Sequence, residues 1–196
     1  MRSLHDKPVE RVARMLLGLA MFGICLAMLV KADLGADPWT VLTQGVARVT
    51  GLSLGQVVIG ISLVLLVLWL PLRQRPGPGT IANALLVGPF LDLGIAWIPD
   101  PHRMTIRIAL LLIAIPGVAV ATGLYMGAGL GAGPRDGVMT GLAALGAPVG
   151  VARAGIELSV LVAGWLLGGS VGAATVAFAT AIGPLVGYFL PRLQIR

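Results

Sequence analysis

A chain of 196 residues that is 57% hydrophobic and only 11% charged has too little interior to hide its apolar surface, which excludes a soluble globular fold. Its net charge of +6 then belongs to loops that set orientation and meet anionic lipid headgroups, not to a nucleic-acid surface. The single cysteine, Cys25, excludes an intrachain disulfide, and His5 and His102 stand apart, so no metal or other cofactor is expected.

The N-terminal stretch is basic, with Arg2, Lys7, Arg11 and Arg14, and the uncharged run 15–30 follows it. Val30-Lys31-Ala32 is a passable signal-peptidase site, but the run aligns with 108–126 further on, so it is read as the first membrane span. A span needs ~20 largely apolar residues. Residues 52–72 supply the second, and the basic turn Arg73-Gln74-Arg75-Pro76-Gly77-Pro78-Gly79 follows. Residues 80–98 form the third, carrying Asn83 and Asp92, with Gly88-Pro89 between them where the helix is able to break. Residues 104–126 form the fourth, with a kink expected at Pro116-Gly117. The fifth, 148–167, carries Arg153 and Glu157, and the sixth is 171–190.

Segments 38–50 and 134–146 remain, and both are too short to span. Each opens with a proline, Pro38 beside Trp39 and Pro134 beside Arg135. Asp37 is a good N-cap for the first, while Gly133 serves less well for the second. They are either helices on the membrane surface or half-helices that dip in and return, lining a cavity.

The chain writes one stretch twice: Leu34-Gly35-Ala36-Asp37-Pro38-Trp39 returns 96 positions later as Leu130-Gly131-Ala132-Gly133-Pro134-Arg135. Arg11 and Ala13 fall on Arg107 and Ala109 at the same offset. At offset 95, Gly55 falls on Gly150, Gly77 and Thr80 on Gly172 and Thr175, and Gly88-Pro89 on Gly183-Pro184. This reads as an internal duplication, 11–99 and 104–191, within one membrane domain. Three spans per copy is an odd number, so the second copy must enter the membrane from the opposite face. Counting Arg153 with its loop, ten of the 14 Lys and Arg lie on the side of the termini and four on the other, which predicts cytoplasmic termini. The expected fold is all-α: six transmembrane helices plus two short ones, in two inverted halves. Secondary transporters use that geometry, with their sites at the repeat interface.

The Leu34–Trp39 motif is followed by Thr50-Gly51-Leu52-Ser53-Leu54-Gly55, by Pro71-Leu72-Arg73 to Gly77, and by Gly79-Thr80-Ile81-Ala82-Asn83-Ala84 with Gly88-Pro89 and Asp92. With Gly129-Leu130-Gly131-Ala132-Gly133-Pro134-Arg135-Asp136-Gly137 the set resembles the YczE/YyaS/YitT-type bacterial membrane proteins, most closely the YczE-like branch, over residues 11–192. The resemblance implies a polytopic protein of the bacterial cytoplasmic membrane and carries no substrate with it.

Gly133-Pro134-Arg135-Asp136-Gly137 is the leading candidate site: a helix start offers free N–H groups and partial positive charge, and Arg135 adds a two-pronged donor for carboxylate or phosphate. Arg153 and Glu157, four apart, share a helix face, as a structural ion pair or as a relay. Asn83 and Asp92, nine apart, face nearly opposite sides, and Asp92 belongs either to the path or to the far interface. The small-xxx-small pairs Gly51/Gly55, Gly123/Gly127, Gly164/Gly168 and Gly183/Gly187 read as helix packing, part of it a homodimer face. No nucleophile–base pair or phosphate loop is present, so no enzyme is expected. The expectation is a secondary transporter or permease for a small, perhaps anionic, solute; the alternative is a non-transporting scaffold that supports another protein.

Overall fold

The computed structural model describes residues 7–146 and 148–195. Arg2, His5 and Arg196 lie outside the described residues. Among those described there are eight α-helices and no strand: α1 Pro8–Ala32, α2 Pro38–Thr50, α3 Leu54–Leu68, α4 Pro78–Trp97, α5 Met104–Gly127, α6 Pro134–Ala144, α7 Val149–Leu166 and α8 Ala173–Leu193.

α1, α4, α5 and α8 are long and apolar enough to cross a membrane, and α2 with α3 makes a fifth candidate if that pair, bent by 111°, is one broken span. The expected second span is shorter than the sequence suggested. α3 has 15 residues, roughly 22 Å at the usual helical rise against ~30 Å of hydrocarbon. It starts where Ser53 caps it, receiving the Gln56 N–H at 3.2 Å. It gives way to turns from Trp69 onward, since Pro71 has no N–H to continue the ladder and Arg73 adopts a left-handed backbone. α4 runs through Gly88-Pro89 and α5 through Pro116 without a break in either helix.

The centre of the bundle is the pair α1 and α5. Arg11, in the first turn of α1, donates to the carbonyl of Ala128 just past the end of α5, at 2.7 Å. Arg107, in the first turn of α5, donates to the carbonyl of Ala32, the last residue of α1, also at 2.7 Å. The two helices therefore run antiparallel, tied at both ends by arginines 96 positions apart in the sequence. Gly18 lets the backbones close up, because a side chain there would run into the Ala121 and Tyr125 backbone. α4 packs on α1 and α8 on α5, and the main core joins all four around Leu19, Leu26, Leu91, Val118 and Ile182.

α2 packs mainly on α7 and also touches α3, and α6 lies against both α3 and α7. Gly164 of α7 receives the backbone of Val41 and Leu42, and Gly137 of α6 receives the Trp69 indole, whose Nε1 donates to the Pro134 carbonyl at 2.9 Å. A second, smaller core of Trp39, Leu65, Trp69 and Val138 marks this layer. Similar ties recur at positions 95 or 96 residues apart. Gly79 N–H donates to Leu130 O and Ala174 N–H to Leu34 O, each at 2.9 Å. Thr80 and Thr175 each accept the N–H of the glycine three residues before, at 3.2 Å.

Candidate functional site

Both short helices begin at one place. Asp37 caps α2, its Oδ2 accepting the Thr40 N–H at 3.2 Å, as its side-chain type predicted. α6 starts from Gly133 with no side-chain cap. The two starts, Asp37-Pro38-Trp39 and Gly133-Pro134-Arg135-Asp136, line a cavity of about 180 Å³. Asn83 of α4, Tyr125 of α5, Arg153 and Glu157 of α7, and Phe178 and Ile182 of α8 complete its wall.

Arg135 dominates the cavity. Its guanidinium stands 5.5 Å from the Phe22 ring centre and 5.6 Å from that of Trp39. Its nearest carboxylate oxygen is Asp37 Oδ2 at 3.7 Å, an ion pair but too long for a hydrogen bond. Asp37 is 2% exposed, and its Oδ1 is buried with no hydrogen-bond partner. Asp136 is better satisfied: its Oδ2 accepts the Tyr125 hydroxyl at 2.9 Å. Arg153 Nε donates to Glu157 Oε1 at 2.9 Å, one turn apart on α7. The wall thus carries two guanidiniums, three carboxylates and two helix starts, and the one pair left loose is Arg135 with Asp37.

Of the residues singled out from sequence, Arg135, Asp136, Arg153, Glu157, Asn83, Asp37, Pro38, Trp39, Gly133 and Pro134 all line this cavity. Asp92 does not. With α4 unbroken, its nine-residue separation from Asn83 turns it to the far side, where it accepts the Ser53 hydroxyl at 2.6 Å and the Gly55 N–H at 2.7 Å. Tyr125, Phe22 and Phe178 were not singled out; aromatic and apolar residues in a span look like packing until the fold brings them to a cavity.

Asp92 lies instead on a cleft at the other end of the bundle, with Lys31, Asp33, Asp100 and Arg107. Lys31 pairs with Asp100 at 2.6 Å, and Arg107 pairs with Asp33. The hydrogen bond from Lys31, and then its charge, hold the Asp100 carboxyl below its ordinary value. A depressed carboxyl favours the fold above the ordinary carboxylate range, and that contribution disappears as pH falls through the lowered value. Asp100 is exposed, so the effect is small and screened by salt. A melting series in detergent from neutral to strongly acid pH should show wild type losing slightly more than Lys31→Met, with the difference shrinking in high salt.

Apolar helices of spanning length, in a chain of this composition, make the protein a polytopic α-helical membrane protein. A family model described as a family of unknown function (DUF6198) matches residues 9–191, and the chain belongs to that family. An uncharacterized protein of Haemophilus influenzae is 38% identical over 189 residues, covering 96% of this chain and 87% of its own. The uncharacterized membrane protein YczE of Bacillus subtilis is 33% identical over 174 residues, covering 87% and 80%. The likeness to YczE-type proteins read from the motifs therefore holds. No solved structure matches the chain.

Proposed function

We propose that the chain is a secondary transporter or permease of the bacterial cytoplasmic membrane, and that its solute is small and carries a carboxylate or phosphate-like group. The observation that carries this is Arg135: a guanidinium in a cavity inside an apolar bundle, 24% exposed, with no hydrogen bond to any described residue. A partly desolvated fork of donors without a hydrogen-bond acceptor is costly, and an oxyanion satisfies it two bonds at a time. The two helix starts add partial positive charge at the same point. The cavity volume suits a solute of a few heavy atoms, since an engineered apolar cavity of ~150 Å³ holds benzene.

In this reading α3 and α7 complete six spans, α2 and α6 are re-entrant half-helices, and the halves are inverted copies. The antiparallel α1/α5 pair and the duplicated ties support that arrangement. The excess of Arg and Lys around the termini supports a cytoplasmic location for both, and for the mouth beside Arg153 and Glu157. No enzymatic step is proposed.

Purified protein in proteoliposomes should take up one or more radiolabelled small carboxylates or inorganic phosphate, and Arg135→Gln should stop it. In a Cys25→Ser background, Glu157→Cys should react with a membrane-impermeant maleimide from the cytoplasmic side. A dry position 157 together with no flux from a broad panel of small solutes would favour the scaffold reading instead.

A further inference from the structure

We infer that the protein has a second state in which α7 closes against α8, and that Asp92 is the positioning residue that keeps the opposite flank, α3 against α4, shut in the state seen here. The purpose of this movement rests on the transport reading; its test does not.

The two flanks are equivalent in sequence and differ in structure. On the first, α3 and α4 touch backbone to backbone at Gly55 and Gly88. A side chain on either would strike the carbonyl oxygen of the other, so the contact requires glycine at both positions. Both glycines are buried. Asp92 then latches the flank, accepting from the Ser53 hydroxyl at 2.6 Å and the Gly55 N–H at 2.7 Å.

On the second flank the residues 95 positions later are Gly150 and Gly183. Both are exposed, and a side chain on either would meet nothing within 4 Å. The cavity opens along this flank, since Glu157 of α7 and Ile182, Val186 and Leu190 of α8 all line it. A glycine inside a helix is less favourable than alanine, and Gly183 gains no close approach in return here. The approach becomes available if α7 and α8 meet as α3 and α4 do.

The latch has no counterpart. Ser53 is matched by Pro148 and Asp92 by Gly187, neither with a side chain able to make the bond. The shut α3–α4 flank therefore has polar bonds that a shut α7–α8 flank lacks, which biases the population toward the present state. Removing the latch should shift that population toward the other closure.

The test is disulfide trapping in native membranes, with Pro148→Cys and Gly187→Cys in a Cys25→Ser background; these positions match Ser53 and Asp92, whose side chains meet across the shut flank, and they leave both contact glycines in place. An intrachain disulfide should form under mild oxidation, and adding Asp92→Ala should raise its rate several-fold. Ser53→Ala removes one of the same bonds more gently and should raise it less, which keeps the test alive if Asp92→Ala does not fold. The inference is overturned if folded protein forms no such disulfide, if the bond joins only two different chains (making the glycine face a dimer surface), or if neither latch variant changes the rate. Trapping without any solute flux would leave this inference standing and remove the transport reading, and flux without trapping would do the reverse.

Discussion

Arg135→Ala should give a protein that moves no solute and melts earlier. Breaking a fully buried ion pair by removing one partner costs ~3–5 kcal/mol. Here Arg135 is 24% exposed, and Asp37 keeps its bond to the Thr40 N–H, so the loss should be nearer ~2 kcal/mol. At ~2–4 °C per kcal/mol for a chain of this size, the midpoint in detergent should fall by about 4–8 °C. Arg135→Lys keeps the charge and the pairing with Asp37 but loses the planar fork. It should melt close to wild type while losing most of the flux. The double variant Arg135→Gln with Asp37→Asn removes both charges of the pair, and should regain stability without regaining transport. If Arg135→Lys transports normally, two-pronged recognition of the solute is wrong.

Gly164→Leu should be more damaging to the fold than any single change in the cavity. A side chain at 164 meets the Val41–Leu42 backbone, which yields only if all of α2 shifts. Overpacking a well-packed site typically costs ~1–3 kcal/mol, and backbone in the way puts this case at or above the upper end. Gly137→Leu meets the Trp69 indole instead. That ring is 3% exposed and tied to Pro134 at 2.9 Å, so it has little room to swing aside. Both variants should cut the yield of monodisperse protein on size-exclusion chromatography, Gly164→Leu most. Gly150→Leu, at a position facing nothing, should leave the yield near wild type.

Much of this arrangement was legible in the sequence because its signals are local. Asp37-Pro38 and Gly133-Pro134 mark two helix starts, and the offset of 96 aligns them, so their meeting at one cavity was within reach of the pattern. The face assignment of Asn83 against Asp92 also follows from helical arithmetic, although the latch to Ser53 does not. What the pattern concealed were contacts whose second partner is backbone. Arg11 and Arg107 are recognisable as a pair, but their acceptors, Ala128 and Ala32, are carbonyls that any residue supplies. Trp69 gave no sign that it seats α6, since its partner Pro134 is 65 positions away. The glycine pairs were read chiefly as helix packing, and Gly55, Gly123, Gly127 and Gly164 do face other segments of the same chain, but nothing in the spacing said which ones.

The packing of α2 chiefly on α7 has a consequence for biosynthesis. While the ribosome has delivered only the first four helices, α2 has only its smaller contact with α3: Val41, Leu42 and Gln44 wait for Gly164 and Ser170, more than a hundred codons downstream. An amphiphilic segment with a buried aspartate at its head cannot rest stably in lipid during that interval. The nascent first half should therefore stay beside the insertion machinery until the second half emerges, and a chain stopped before α5 should be cleared by membrane proteases rather than accumulate.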